Sequence, residues 1–220
     1  GLTGPNPTRD YSDAAFVGTL DRLMRKLAIG KFVLAGSSMG GGVAWRYALA
    51  HPERLNGLVL IDASGMPKTN DEGTPLAFRL ARTPGPRELM LMITPRALIA
   101  DGLRQSFGNP GLVTETMIDR YWELLRYPGN RQATLDRFTT PRTPSDPASL
   151  AALRIPTLIL WGQRDQLLPV SGARWFADRI AGSKVIIYPD VGHLPMEEAP
   201  DASAADLARF MQALPAAITR

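Results

Sequence analysis

Four short apolar runs predict the buried strands of a parallel sheet. They cover residues 32–35 (FVLA), 56–61 (NGLVLI), 156–161 (PTLILW) and 184–188 (KVIIY). A strand that is buried on both faces has a continuous apolar sequence, whereas a strand with one solvent-exposed face alternates apolar and polar residues. Small or polar residues end each run. We therefore expect four strands whose connections cross the faces of the sheet.

Apolar residues at helical spacing fill the segments between these runs. They predict a helix over residues 12–29, stopped by Gly30, and a second helix from Met39 to the His51-Pro52 pair. A short helix capped by Ser171 is expected up to residue 180. The first helix should bury Phe16, Val17, Leu20, Leu23, Met24 and Leu27, and a final helix over about 202–214 should bury Leu207, Phe210, Met211 and Leu214. Alternating strands and helices predict an α/β fold with a mostly parallel, doubly wound sheet.

The middle of the chain has a different pattern. Between the second and third apolar runs several prolines interrupt the sequence and no β-branched run occurs. Helical spacing returns over residues 88–93, 97–107, 114–126 and 131–139. We predict a helical insertion over 66–150 that divides the core into segments 1–65 and 151–220.

Composition narrows the classes of function. The 220 residues are 45% apolar and 21% charged with a net charge of +4, which is typical of a globular domain. No basic run with interleaved aromatic residues predicts nucleic-acid binding, and no apolar run approaches the roughly 20 residues of a membrane span. With no cysteine and two histidines, we expect no metal and no cofactor. The compartment stays open, with the cytoplasm favoured.

The candidate nucleophile follows the first predicted strand. Gly36-Ser37-Ser38-Met39-Gly40 matches G-x-S-x-G, a sharp strand-to-helix turn that strains the backbone of its serine. A side chain at Gly36 or Gly40 should collide with the neighbouring strand and helix. Ser38 is the candidate nucleophile, and the backbone N–H of Met39 is the candidate oxyanion donor. By itself the pattern also fits a glycine-rich turn with no chemistry. Ser37 and Ser64 lack these glycine neighbours and are interpreted as turn residues.

Two possible partners for Ser38 follow later strands. Asp165 comes after the third strand and His193 after the fourth, at the sheet edge where open α/β folds place their chemistry. In a hydrolytic triad Ser38 would attack an acyl carbonyl, His193 would transfer its proton, and Asp165 would orient the imidazole. Asp62, after the second strand, is a rival acid, and Asp190 ranks third. Singly, Asp165 could be a turn aspartate and His193 a structural histidine.

Three motifs together resemble the α/β-hydrolase family, in its serine-nucleophile branch with a helical lid. They are GSSMGG, GQRDQLLP and DVGHLPMEEAP. The resemblance implies that Ser38 is the nucleophile, Asp165 the acid, His193 the base and Met39 an oxyanion donor. It also implies that segment 66–150 is a lid over the substrate pocket. A serine at position 38 disfavours the haloalkane-dehalogenase and epoxide-hydrolase branches.

The start of the chain departs from the family pattern. Family members place four strands before the nucleophile strand, and a His-Gly loop there supplies the second oxyanion N–H. The residues before Ser38 contain no such motif, and GLTGPNPTRDYS resembles the loop after the fourth family strand. We therefore expect an N-terminally incomplete α/β-hydrolase fold with an open apolar edge. A separate N-terminal fragment or a second copy of the chain would cover that edge.

The residues leave three functions open. The first is cleavage of a small-molecule carboxylic ester through an acyl-enzyme on Ser38, as in esterases and lipases. The second is a carbon–carbon bond hydrolase of vinylogous diketone acids, which an arginine of the lid gripping a substrate carboxylate would favour. The sequence singles out no such arginine. The third is a non-catalytic binding module on a truncated hydrolase fold.

Overall fold

A four-stranded parallel sheet forms the centre of the molecule. The computed structural model describes residues 2–67, 76–141 and 146–215, so parts of the predicted insertion boundaries, at 68–75 and 142–145, lie outside the described residues. The strands are β1 (Phe32–Ser37), β2 (Leu55–Ile61), β3 (Thr157–Gly162) and β4 (Lys184–Tyr188). They lie in the order β1-β2-β3-β4, and every pair is parallel. All four apolar runs are strands, as predicted.

Helices connect and flank the strands. In chain order they are α1 (Asp13–Lys26), α2 (Met39–Ala50), α3 (Leu76–Arg82), α4 (Pro86–Met92), α5 (Arg96–Ser106), α6 (Glu115–Arg126), α7 (Asn130–Thr139), α8 (Pro147–Ala151), α9 (Ser171–Ala177), α10 (Pro195–Glu198) and α11 (Pro200–Gln212). Single 3-10 turns cover Pro52–Arg54 and Pro110–Leu112. The apolar spacing predicted most of these helices but not α3, α8 or α10, which are short and begin at or near prolines.

Alternate residues of the strands build two separate cores. Leu58 and Leu60 of β2 pack with Trp45 of α2 and Phe176 of α9 on one face of the sheet. Val59 of β2 points to the other face, where it joins a cluster that includes Phe210 of α11. Because side chains alternate along a strand, helices on both faces are needed to bury them. The sheet is therefore doubly wound, as expected.

Some helix details differ from the predictions. Ser12 caps α1, with its side chain accepting a hydrogen bond from the N–H of Ala15, but Leu23 and Leu27 are exposed. Met211 of α11 is also exposed. The short helix α9 begins at Ser171 after Val170, and it has no side-chain cap. Helical spacing located α1 and α11 but overestimated the width of their buried faces.

Helices α3–α7, which we call the helical insertion, have an apolar cluster of their own and contact the core near the carboxyl ends of the strands. Ala100, Leu103, Phe107 and Ile118 form this cluster. The carbonyl of Ser106 accepts a hydrogen bond from the backbone N–H of His193 at 2.7 Å. The insertion thereby contacts a loop that carries a predicted site residue.

Strand β1 lies at one edge of the described sheet. Within the described ranges it pairs with β2 alone, and most of its residues are partly exposed. Coverage of this edge by a further segment or a second copy stays a prediction. Among the described helices, none combines the length and the apolar character that a membrane crossing requires.

Candidate active site

Ser38 occupies a strained turn between β1 and α2. Its φ is 53° and its ψ is −117°, a backbone conformation that a residue with a side chain rarely adopts. The turn is fixed from both sides: the N–H of Ser38 donates to the carbonyl of Ile61, and its carbonyl accepts from the N–H of Ser64, both at 2.9 Å. Such strain persists only where the surroundings enforce it, and it concentrates at functional sites.

The glycines around Ser38 have unequal roles. A Cβ on Gly36 would lie 2.3 Å from the carbonyl oxygen of Gly40, and a Cβ on Gly41 would lie 2.4 Å from the Cβ of Ala63. Among the described residues, a Cβ on Gly40 meets nothing within 4 Å. The predicted collision at Gly36 is confirmed, whereas the one at Gly40 is wrong. The close approach of α2 to the loop after β2 falls instead on Gly41, the next glycine.

Met39 begins α2, so its backbone N–H has no partner within the helix. The positive end of the helix dipole also lies at this point. An oxygen anion next to Ser38 would be stabilised by the N–H of Met39 and by the positive end of the helix dipole. Ser37 is the last residue of β1, and the backbone of Ser64 supports the turn.

Asp165 and His193 form a buried hydrogen-bonded pair. Oδ2 of Asp165 lies 2.7 Å from Nδ1 of His193, and both side chains are almost fully buried. Oδ1 of Asp165 accepts hydrogen bonds from the N–H groups of Leu167 and Leu168, at 2.8 and 3.0 Å. These bonds fix the carboxylate, and the carboxylate in turn orients the imidazole. Within the described ranges, Nε2 of His193 makes no hydrogen bond, and an imidazole whose other nitrogen is fixed in this way can exchange a proton there.

The three predicted site residues lie on one edge of the sheet, after β1, β3 and β4. The structure joins Asp165 to His193 directly. Within the described part of the chain, the hydroxyl of Ser38 makes no hydrogen bond to His193. Hydrogen bonds between catalytic groups are often long without substrate and tighten in the reacting complex.

The two rival acids have different surroundings. Asp190 forms an ion pair with Arg164 at 2.6 Å, and its side chain is 80% exposed, which removes it from the site. Asp62 is fully buried, with φ at 42°, and its Oδ1 accepts a hydrogen bond from the N–H of Gly162 at 2.9 Å. Asp62, Asp165 and His193 each offer one atom within 4.8 Å of the others. This spacing would suit a metal ion. However, two of the three possible ligand atoms, those of Asp165 and His193, are hydrogen-bonded to each other.

Arg137 of α7 is a charged residue of the site that sequence reasoning missed. Its Nε lies 3.0 Å from Sδ of Met39, and its Nη2 lies 3.5 Å from Asp13, which Arg46 also contacts at 3.3 Å. Its side chain is 9% exposed, and its Nη1 has no hydrogen-bond partner among the described residues. Burial lowers the pKa of Arg137. No sequence signal separates it from the other arginines of the insertion.

Glu198 of α10 was also missed. Its Oε1 accepts a hydrogen bond from the N–H of Gly192 at 2.8 Å, and its Oε2 accepts one from the N–H of Gly108 at 2.7 Å. It lies within the DVGHLPMEEAP motif, but nothing in the motif says which backbone groups it binds.

A strained serine after one parallel strand, and a buried acid–histidine pair after two others, define the edge of an α/β-hydrolase sheet. The sequence model described as "alpha/beta hydrolase fold" matches residues 2–200. The chain belongs to this family.

Known relatives include two lipases. A monoacylglycerol lipase of Xenopus laevis (abhd6-A) is 30% identical over 215 residues, which cover 93% of this chain and 62% of the relative. Lipase 3 of Moraxella sp. (strain TA144) is 25% identical over 221 residues, with 94% and 64% covered. The chain thus spans somewhat less than two thirds of the length of these relatives.

A solved meta-cleavage product hydrolase from Pseudomonas fluorescens IP01 superposes with a TM-score of 0.81 at 23% identity. The superposition covers 96% of this chain and 76% of that structure. At this identity the likeness concerns the fold.

Proposed function

We propose that this chain carries the catalytic machinery of a serine hydrolase that cleaves carboxylic esters. One observation carries the proposal: the strained Ser38 shares a sheet edge with the buried Asp165–His193 pair. A glycine-rich turn that merely joined a strand to a helix would have no need of a buried base and acid at the same edge.

The reaction proceeds in two steps, acylation of Ser38 and hydrolysis of the acyl-enzyme. Oγ of Ser38 attacks the ester carbonyl while Nε2 of His193 accepts the proton of the Ser38 hydroxyl. The N–H of Met39 and the N-terminus of α2 stabilise the oxyanion of the tetrahedral intermediate. His193 then gives the proton to the leaving alcohol. Water repeats the sequence on the acyl-enzyme, releasing the acid and restoring Ser38.

The ester class is supported by the relatives rather than by the site. Two of them are lipases, and lipases cleave carboxylic esters. The helical insertion contacts the loop of His193 through Ser106, so we propose that it acts as the predicted lid and shapes the acyl or alcohol pocket.

A second candidate follows from Arg137. The guanidinium of Arg137 is buried next to Met39, and its Nη1 has no hydrogen-bond partner among the described residues. Such a group would suit a substrate carboxylate, which guanidinium groups bind through paired hydrogen bonds. The substrates of carbon–carbon bond hydrolases of vinylogous diketone acids carry such a carboxylate. This is the feature that would distinguish the two hydrolase reactions.

Covalent labelling tests the proposal directly. The 220-residue chain is treated with a fluorophosphonate probe, and the labelled peptide is identified by mass spectrometry. We expect the label on Ser38, lost in Ser38→Ala and retained in the matched control Ser37→Ala. A folded protein that stays unlabelled would overturn the proposal and favour the non-catalytic binding module.

Comparing p-nitrophenyl esters with a dienoate diketone acid as substrates would then separate ester from carbon–carbon cleavage.

A further inference from the structure

The carboxyl group of Asp62 poses a problem of charge. Asp62 is fully buried, and its Oδ2 has no hydrogen-bond donor in the part of the chain that the structure describes. An oxygen of Asp165 lies within 4.8 Å of one of Asp62. An ionised carboxylate with an unpaired oxygen, buried beside a second carboxylate, would be strongly destabilising.

Protonation of one carboxyl group resolves the problem, and hydrogen bonding decides which one. Asp165 accepts bonds from the N–H groups of Leu167 and Leu168 and from His193, all of which stabilise its charged form. Asp62 accepts only one from a described residue, from the N–H of Gly162. The hydrogen bonds therefore favour the proton on Asp62.

We propose that Asp62 is a positioning residue for the reaction proposed above, and that its protonated Oδ2 donates a hydrogen bond to the carboxylate of Asp165. The donor adds to the hydrogen bonds from Leu167 and Leu168 that hold the carboxylate. It also spreads the negative charge of Asp165, so the proton stays on His193 instead of moving to the acid. The left-handed backbone at Asp62 is the local strain that accompanies this placement.

The surrounding groups agree with a neutral Asp62. The titratable side chains near it are Asp165 after β3, His193 and Tyr188 around the end of β4, and Glu198 of α10. Burial, together with the negative charges of Asp165 and Glu198, raises the pKa of Asp62 to about 10. The N–H of Gly162 opposes this shift but is outweighed.

The test measures the pKa of His193 by NMR, which does not depend on hydrolysis. The chain has two histidines, so the His193 resonance can be assigned by comparison with a His51→Gln variant. Asp62→Asn keeps a neutral donor at the site, and we expect the His193 pKa to stay unchanged. Asp62→Leu removes the donor and leaves Asp165 more basic, so we expect the His193 pKa to rise. A fall in Asp62→Asn would mean that Asp62 is ionised, and an unchanged value in both variants would mean a purely structural role; either overturns the inference.

Steady-state hydrolysis of a p-nitrophenyl ester adds a second measurement. We expect kcat to fall about tenfold in Asp62→Leu, the equivalent of one hydrogen bond to a charged group, and to change little in Asp62→Asn. If Ser38→Ala hydrolysed the ester as fast as the unaltered chain, the proposed function would fail. The NMR result on Asp62 would stand or fall separately.

Discussion

The carboxylate of Glu198 accepts a hydrogen bond at 2.8 Å from the backbone N–H of Gly192, the residue directly before His193. Its other oxygen accepts from the N–H of Gly108 in the helical insertion. A single side chain therefore links the loop of the proposed base to the segment proposed as a lid. We therefore expect the position of His193 to depend on both hydrogen bonds.

Glu198→Gln should weaken this link. Glutamine keeps one acceptor oxygen but turns an NH2 group toward a backbone N–H, which leaves one buried donor unsatisfied. We expect the free energy of unfolding to fall by about 1–3 kcal/mol. Ester hydrolysis should fall by about tenfold because His193 is held less firmly. Urea unfolding and steady-state kinetics measure the two effects. The exposed Glu123→Gln is the matched control, and equal behaviour of both variants would contradict the link.

Alanine at Gly36 and at Gly40 should have opposite outcomes. A Cβ at Gly36 would lie 2.3 Å from a backbone oxygen, so the turn around Ser38 must shift. We expect Gly36→Ala to lose stability by about 1–3 kcal/mol and most of its fluorophosphonate labelling. Gly40 has space for a methyl group and lies in α2, where alanine is favoured over glycine by roughly 0.5–1 kcal/mol.

Thermal unfolding and labelling of the two variants form a matched pair. Equal losses in both would mean that the turn itself requires glycine at each position, as the motif alone suggests. A stable, labelled Gly40→Ala beside a damaged Gly36→Ala would support the unequal roles.

Arg137→Gln should separate the two hydrolase reactions. Nη1 of Arg137 has no partner in the described part of the chain, and if it binds a substrate carboxylate, the variant should raise KM for a carboxylate-bearing substrate by about tenfold or more. Neutral esters should be affected far less. The exposed Arg120→Gln controls for the loss of one positive charge from the insertion. Equal losses on charged and neutral substrates would assign Arg137 a structural role beside Asp13.

The sequence predicted the parts of the site that depend on local geometry. A strand, a glycine and a serine in the right order predict a strained turn, and Asp165 and His193 follow from the shared edge of parallel strands. The sequence could not predict Arg137 or Glu198, because their roles depend on where separate elements meet. It also could not show that Asp165 is hydrogen-bonded to His193 while Asp62 lies beside the pair. That distinction rests on which backbone N–H groups reach each carboxyl group.

The protonation of Asp62 should be visible in the pH dependence of stability. Its folded pKa of about 10 lies far above the unfolded value of about 3.9. Between these values the folded chain binds one more proton than the unfolded chain. The stability that Asp62 contributes is therefore complete below about pH 4 and is lost as the pH rises toward 10.

Asp62→Asn removes this titration, because its amide does not ionise. We expect the stability of the unaltered chain, relative to that of Asp62→Asn, to fall by up to about 1.4 kcal/mol per pH unit between about pH 5 and pH 9. Urea unfolding across this range measures the difference. Asp190→Asn, at an exposed carboxylate, should run parallel to the unaltered chain. If Asp62→Asn also ran parallel, Asp62 would be ionised in the folded state, and Asp165 would have to share its site with a second negative charge.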